Sequence, residues 1–392
     1  MKEQILKLGK TYESNIIRWR RELHRFPELG GQEFRTAAMV ETKAEALGLK
    51  VLHAGECGRI AILDTGRPGK TVLLRADMDA LPVPEHPENL KGARTVLSEN
   101  SGCSHACGHD AHTAMLLGAM EMLTELKGAL CGRVVFCFDS DEENGTGWPV
   151  QLPILETLGI DRCFAIHVLS SLDSGLVNIA DGPRMGGMVA VNADFVGRGG
   201  HGSRPDLSVN PVFAAAAALG NLASAAANQV ESGEILTLGI TSIQGGTVFN
   251  VIPDRAKVLG TMRYFKKEVG EQALAMLKNV FDHTAAIHRC TVEYDPQTQI
   301  YLQPAVNDPE TAALARRAIP GEWLGDCGRW YASETFHTCL ERWPGALAFL
   351  GIKNEELGSG AEHHSEHFDV DESVLWRGAV CYAAFAAEAL AE

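Results

Sequence analysis

The chain has 392 residues, of which 45% are hydrophobic and 22% are charged. This composition is ordinary for a globular protein with a large core, and the length favours two domains. The formal net charge of −15 argues against nucleic acid as a partner, and no apolar stretch reaches the roughly 20 residues that a membrane span requires.

The first predicted element is an amphipathic helix at the N-terminus. Apolar residues recur there at gaps of three or four, from Ile5 to Phe26, which is the spacing of one helix face. A secretory signal peptide would need a continuous apolar run instead. The 10 cysteines are diluted over the chain, and without an export signal they are expected to be reduced. The cytoplasm is therefore the expected compartment.

Strands and helices alternate through the rest of the first half. The predicted strands cover residues 59–63, 71–76, 133–138 and 163–168, and the predicted helices cover residues 34–47 and 111–126. This alternation predicts an α/β domain with a mostly parallel sheet and helices on both of its faces. Polar clusters at 75–79 and 139–143 follow two of the strands, and His167 is predicted to end a third. In such sheets, functional residues gather at the carboxyl ends of the strands.

The middle of the chain has a different pattern. Predicted strands at 189–196, 235–243, 256–262 and 291–294 and helices at 211–228 and 267–288 follow the order βαββαβ. That order is the split unit of a ferredoxin-like α+β domain. Glycine- and proline-rich segments flank it, so we predict an inserted domain at residues 184–297. Residues 1–183 and 298–392 would then form one discontinuous domain, with tail helices near 308–318 and 372–390.

The densest chemical cluster is the segment 102–112, which holds two cysteines and three histidines just before a predicted helix. Thiolate and imidazole are ligands that suit zinc and related divalent ions. One possibility is a structural zinc site, for which four ligands are available in this segment: Cys103, Cys107, His109 and His112.

An open, hydrolytic metal site is the other possibility, and residues far from this segment favour it. Glu142 and Glu143 follow a predicted strand, and His167 belongs to another. His363 and His364 lie in a loop flanked by glycine and serine, and either could be the last ligand. Of two adjacent glutamates, one can bind metal while the other accepts a proton from water.

A second polar group lies in the predicted inserted domain. His201 stands between glycines in the segment 199–205, a pattern that by itself also fits an ordinary polar loop. Asn250 and Arg263 flank predicted strands of the same domain. A guanidinium group such as that of Arg263 can bind a substrate carboxylate through two parallel hydrogen bonds.

Together these motifs resemble the aminoacylase and carboxypeptidase family of co-catalytic, dinuclear metallopeptidases. The resemblance is greatest to the amidohydrolase branch with hippurate hydrolase, the plant auxin-conjugate hydrolases and aminobenzoyl-glutamate hydrolase. It runs in order along nearly the whole chain, through the segments 24–29, 75–81, 105–112, 199–201, 246–254 and 364–372.

The resemblance implies a metal-dependent amidohydrolase that cleaves N-acyl amino acids, with two divalent ions per chain (Zn, Mn, Co or Ni). It implies five metal ligands, with Cys107 bridging the ions: Cys107, His109, Glu143, His167 and His364. Glu142 matches the general base, and Asp79 matches the aspartate that supports a ligand. His201 matches a lid histidine that stabilises the oxyanion across a homodimer interface, and Asn250 and Arg263 match substrate-binding positions. The inserted domain would be the lid and dimerisation domain.

The chain departs from the branch pattern at two places. The base is preceded by the acidic segment 139–141, and residues 333–335 read Ser-Glu-Thr where Gly-Glu-Asp is expected. Other functions fit parts of the same sequence. A dipeptidase or carboxypeptidase would use the same site, a thiol hydrolase would use Cys107 as nucleophile with His109 or His112 as base, and a zinc scaffold would not catalyse at all.

Overall fold

The computed structural model describes residues 1–392. The chain divides into two compact units. The larger unit comprises Met1–Gly182, Val306–Gly328 and Thr338–Glu392, and the smaller unit comprises Pro183–Ala305 and Arg329–His337.

The secondary structure consists of nine α-helices, sixteen strands and four short 3-10 turns. The helices are α1 (Lys2–Arg25), α2 (Phe34–Ala46), α3 (His109–Glu125), α4 (Trp148–Glu156), α5 (Pro211–Gln229), α6 (Lys267–Ile287), α7 (Pro309–Ala318), α8 (His337–Leu340) and α9 (Leu375–Ala391). The strands are β1 (Lys50–Ala54), β2 (Gly58–Asp64), β3 (Thr71–Asp77), β4 (Arg133–Asp139), β5 (Arg162–Asp173), β6 (Val177–Asn178), β7 (Gly182–Met185), β8 (Gly187–Val196), β9 (Gly200–His201), β10 (Leu236–Gly245), β11 (Val251–Ile252), β12 (Arg255–Tyr264), β13 (Thr291–Tyr294), β14 (Ile300–Leu302), β15 (Ala305–Asn307) and β16 (Gly345–Lys353).

The larger unit is built on a seven-stranded sheet in the order β1-β2-β4-β3-β5-β16-β6. Its four central strands, β4, β3, β5 and β16, run parallel. Every residue of β3 is buried, and because successive side chains of a strand point to opposite faces, both faces of the sheet are covered there. The predicted α/β class with a mostly parallel sheet is confirmed.

The last helix, α9, is part of the core of this unit. It packs against α1, α3 and α7. The prediction that no stretch is long and apolar enough to cross a membrane is wrong for the segment Glu372–Ala391, in which a stretch of 18 residues has a mean hydropathy of 1.3. However, 83% of this stretch is buried inside the fold. A helix that is apolar on all sides is typical of a protein core as well as of a membrane span, and the burial accounts for its composition.

The prediction that His167 ends a strand is wrong, because β5 continues to Asp173. The strand pairs with β3 only as far as Ala165, whereas β16 accompanies it along most of its length. On one side, His167 is paired with β16. On the other side, the pairing with β3 has already ended at Ala165, so His167 lies beyond the end of that strand. This position still places it at the edge of the sheet where functional side chains gather.

The smaller unit contains an antiparallel sheet in the order β10-β12-β8-β13, with helices α5 and α6 packed against it. In chain order these strands are second, third, first and fourth, which is the arrangement of the predicted ferredoxin-like unit. Residues of β8 alternate between buried and partly exposed, as expected for a sheet with one face on a helical core. That core includes Phe195 of β8 and Phe281 of α6.

Candidate metal centre

The segment before α3 turns sharply at Gly108. This residue has a left-handed φ of 89°, and a Cβ atom there would lie 2.5 Å from Cγ2 of Val168. Only glycine satisfies both conditions without strain. The turn places Cys107 just outside the helix and His109 at its first position.

We expect Gly108→Ala to destabilise the protein, because a side chain there is strained by the backbone and clashes with Val168. The loss should be about 1–3 kcal/mol, measured by denaturant unfolding of the metal-free protein. Gly128→Ala is the matched control, since a Cβ there meets nothing within 4 Å. Equal stability of the two variants would contradict the steric argument.

His109 is buried and oriented by Asp79. Its Nδ1 lies 3.0 Å from Oδ1 of Asp79, so Nδ1–H donates and Nε2 is the ring nitrogen that remains for a metal. That Nε2 atom is buried and has no hydrogen-bond partner. A histidine whose second nitrogen is fixed by a carboxylate is the usual arrangement of a metal ligand.

Glu143 is held by the same aspartate. Its backbone N–H donates to Oδ2 of Asp79 at 3.0 Å. Its Oε1 is buried and lies 3.9 Å from Nε2 of His109 and 3.5 Å from Nε2 of His364. Burial opposes ionisation, but His364 and His109 hold the pKa of Glu143 below its usual value.

Cys107 lies against two histidines. Its Sγ is 3.7 Å from Nε2 of His167 and 3.8 Å from Nδ1 of His363. His167 donates from Nδ1 to the carbonyl oxygen of Val168 at 2.6 Å, so its Nε2 lone pair faces the sulfur. Burial lowers the pKa of His167 well below its usual value, which keeps the ring neutral, as a metal ligand must be.

The environment of Cys107 does not suit a thiol nucleophile. Burial raises the pKa of the Cys107 thiol well above its usual value, whereas reactive cysteines sit in partly exposed, electropositive surroundings that lower it. Of the two proposed bases, His112 is already engaged: it donates from Nδ1 to Asp77 at 2.6 Å and accepts at Nε2 from the N–H of Val168 at 2.8 Å. Because both ring nitrogens of His112 already have hydrogen-bond partners, His112 is also not available as a ligand of the structural zinc site considered above.

The two adjacent histidines near the C-terminus differ in role. His363 accepts at Nε2 from the N–H of Ser170 at 3.2 Å, so its Nδ1 carries the hydrogen that faces Cys107. Burial lowers the pKa of His363 to about 3. His364 has a left-handed φ of 66°, and its N–H donates to the carbonyl of Ala106 at 2.8 Å. This backbone turn brings its Nε2 to Glu143.

An ionic layer that the sequence did not single out lies beneath the centre. Arg75 contacts Asp77 at 2.8 Å and Asp139 at 2.6 Å, and all three are buried. Burial opposes the charge of Asp77, but His109, His112 and Arg75 hold its pKa well below its usual value. Burial raises the pKa of Asp139 to about 6 despite Arg75. The sequence shows that Asp77 and Asp139 stand at the ends of two strands. That both contact Arg75 follows only from β3 and β4 being neighbours in the sheet.

The donor set fits a divalent cation of the zinc type. Two groups of three ligand atoms, each within 4.8 Å of one another, share one thiol: Cys107 with His109 and His167, and Cys107 with Glu143 and His364. Sulfur, imidazole nitrogen and carboxylate oxygen are the ligands of such ions. Buried polar atoms without a hydrogen bond, such as Nε2 of His109 and Oε1 of Glu143, are otherwise rare in native proteins. Glu142 also lies near His109 and Glu143.

The predicted residues of the smaller unit fall in two places. His201 and Asn250 come together, because β9 pairs with β11 and the carbonyl of Asn250 accepts from the N–H of Gly202 at 2.8 Å. Arg263 lies on β12 of the main sheet of that unit and donates to Oγ of Ser333 at 2.7 Å.

Comparison with known proteins gives the family. The model of peptidase family M20/M25/M40 matches residues 73–388. The chain belongs to this family. It is 33% identical to thermostable carboxypeptidase 1 of Saccharolobus solfataricus over 386 residues, 96% of each chain. It is 32% identical to the N-acyl-L-amino acid amidohydrolase of Geobacillus stearothermophilus, over 81% of this chain and 86% of that one.

A solved structure shows the same architecture. It is a Bacillus subtilis protein described as a dinuclear metal binding peptidase from the M20 family, with a TM-score of 0.82, 27% identity and coverage of 97% and 99% of the two chains. This M20-family chain is thus a metal-dependent amidohydrolase that binds divalent metal. The alternatives of a thiol hydrolase and of a scaffold without catalysis lose their support.

Proposed function

We propose that this chain hydrolyses the amide bond of N-acyl amino acids at the centre around Cys107. The observation that carries the proposal is the open donor set, in which two ligand groups share Cys107 beside the adjacent pair Glu142 and Glu143. A structural zinc site would be closed by four protein ligands drawn from short pairs. Here the donors come from segments more than 200 residues apart, between Cys107 and His364.

The proposed ligands are the five that the resemblance implies, and Cys107 belongs to both groups, so its thiolate would be available to either ion: Cys107, His109, Glu143, His167 and His364. The orientation of His363, whose Nε2 already accepts from Ser170, supports His364 as the last ligand. Zinc, manganese, cobalt and nickel all suit these donors. When bound, such ions polarise an amide carbonyl and lower the pKa of a coordinated water.

Glu142 is the proposed general base. It is partly exposed, so it can reach water and substrate, and it lies near His109 and Glu143. Its carboxylate would accept a proton from the attacking water and return it to the nitrogen of the leaving amine. Asp79 would keep this arrangement in place, since one oxygen holds His109 and the other holds the N–H of Glu143.

His201 is the proposed donor to the oxyanion. The N–H of Ser203 donates to its Nδ1 at 3.1 Å, so Nε2 carries the N–H that can donate. The side chain is exposed, and an N–H donor of this kind can stabilise a developing negative charge. In the proposed dimer it would serve the centre of the partner chain.

We expect His201→Ala to lower kcat by roughly 10²–10³-fold, the usual cost of one oxyanion donor, without loss of bound metal. His283→Ala, which removes another exposed histidine of the same unit, should keep full turnover.

If the donor acts across a dimer, mixing inactive His201→Ala and Glu142→Gln chains should restore about a quarter of wild-type activity. No recovery after subunit exchange would exclude action in trans.

A homodimer through the smaller unit is part of the proposal. Its exposed apolar side chains include Phe213, Val248, Phe249 and Val251, and exposed apolar groups of this kind mark interaction surfaces. Asn250 lies among them. We propose that the smaller unit, predicted at residues 184–297, is the lid and dimerisation domain and that the larger unit, predicted at residues 1–183 and 298–392, is the catalytic domain. The cytoplasm remains the proposed compartment.

Arg263 is the proposed partner of the substrate carboxylate, with Asn250 as a second polar contact. Burial lowers the pKa of Arg263, and its guanidinium donates to the hydroxyl of Ser333.

A dipeptidase or carboxypeptidase is the second candidate, because the Saccharolobus relative is named a carboxypeptidase. A panel of N-acyl amino acids, dipeptides and longer peptides decides between them. Faster cleavage of the peptides would overturn the N-acyl preference.

A further inference from the structure

The segment between α1 and α2 has no part in the proposed chemistry, although its first residues, 26–29, belong to one of the motifs that carry the family resemblance. It contacts the two loops that carry the site. The carbonyl of Glu28 accepts from the N–H of Ala80 at 2.8 Å, next to Asp79. A few residues on, Oε1 of Glu33 accepts from the N–H of Asp141 at 2.6 Å, next to Glu142.

Asp141 is in an unusual conformation. Its φ is 57°, and it is one of only three non-glycine residues of the chain with a positive φ. A second is His364, the proposed ligand. Such conformations cost about 1–3 kcal/mol and persist where the surroundings impose them, often at functional sites.

Several contacts impose the conformation of Asp141. Its Oδ1 accepts from Nδ2 of Asn144 at 2.6 Å, and its Oδ2 accepts from the hydroxyl of Thr146. Gly30 approaches so closely that a Cβ atom there would lie 1.9 Å from Oδ1 of Asp141. The segment and the loop are therefore in direct contact, and a side chain at position 30 would have to displace the carboxylate of Asp141.

Two buried carboxylates thus hold the backbone on either side of Glu142. Glu33 accepts from the N–H of residue 141, and Asp79 accepts from the N–H of residue 143. Both side chains are almost completely buried, so water does not compete for these N–H groups. Burial raises the pKa of Glu33 to about 7, and Oε1 retains a lone pair for Asp141 in either protonation state.

We propose that Glu33 is a positioning residue for the general base, which acts by accepting the N–H of Asp141 and fixing the turn from which Glu142 projects. The proposal rests on the proposed function, in which Glu142 is the base. It adds a role for the side chain of Glu33 that is separate from metal binding, since Glu33 is not among the candidate ligand groups.

The test compares Glu33→Ala, Glu33→Gln and Glu28→Ala. Glu33→Ala should lower kcat by roughly 10²-fold, the scale on which small misplacements reduce catalysis, with KM and bound metal little changed. Glu33→Gln keeps an oxygen acceptor and should recover most of the rate. Glu28→Ala loses contacts to the N–H groups of Arg35 and Thr36 at the start of α2, so it should lower stability without lowering kcat.

Amide hydrogen exchange of the metal-free protein gives a readout that is independent of activity. Residues 140–144 should exchange about tenfold faster in Glu33→Ala, while β3 and β4 keep their protection. Gly30→Ala keeps Glu33 but places a Cβ atom against Asp141, so residues 140–144 should exchange faster in this variant too. It provides the test if Glu33→Ala does not fold.

The outcomes separate this proposal from the proposed function. Unchanged kcat in Glu33→Ala, or Glu33→Gln as impaired as Glu33→Ala, overturns the positioning role. Retained turnover in Glu142→Gln would instead overturn the assignment of the base, whatever the exchange data show.

Discussion

Glu142→Gln should bind its metal ions as wild type does and lose turnover by roughly 10²–10⁴-fold, the contribution of a general acid–base group. The amide is nearly the same size as the carboxylate but cannot accept the proton of water. Because Glu142 is not needed in either group that shares Cys107, metal content should be unchanged. The measurement is kcat together with metal content after dialysis.

The matched control for this variant is Glu322→Gln, which changes an exposed glutamate of the same unit and should keep wild-type kcat. If Glu142→Gln retained turnover, the base would have to be another group. If it lost metal along with activity, Glu142 would be a ligand and Glu143 the stronger candidate for the base.

Cys107→Ser should have the largest effect on the metal centre, because this one residue belongs to both groups of ligand atoms. A serine hydroxyl is a poor substitute for thiolate as a ligand of zinc-type ions. We expect at most one ion per chain, with affinity reduced more than the 10–100-fold typical of changes to residues behind the ligands. Isothermal titration of the metal-free protein measures both quantities.

Cys163→Ser is the control for Cys107→Ser, since Cys163 is also a buried free cysteine but lies in none of the candidate ligand groups. It should bind metal like wild type. Full metal binding by Cys107→Ser would contradict the proposal that the thiolate of Cys107 is a ligand in both groups. The metal would then be held by the other donors or elsewhere.

Much of the fold was predictable because its elements carry strong local patterns. The strand β3 is a short apolar run followed by carboxylates, and the order of elements in the smaller unit is a known supersecondary pattern. The strand β16 was not predicted, although all but its last residue are buried. An isolated apolar run of that length does not distinguish a strand from a buried helix segment, and only pairing with β5 decides it.

The site was predictable in its residue types and not in its contacts. Cys107, His109 and the glutamate pair stand in motifs that can be read directly. Whether His363 or His364 faces the glutamate depends on the left-handed turn at His364 and on the N–H of Ser170, neither of which a linear sequence shows. Likewise, Glu33 is an ordinary acidic residue until the fold buries it against Asp141.

The most direct test of the metal-dependent amidohydrolase is to strip the wild-type protein with a chelator, refill it with manganese or zinc, and measure cleavage of N-acyl amino acids at each stage. We predict that stripping abolishes cleavage, that refilling restores it, and that alkylation of the refilled protein leaves cleavage intact because the thiol of Cys107 is buried. Cleavage that survives complete removal of metal would contradict the account.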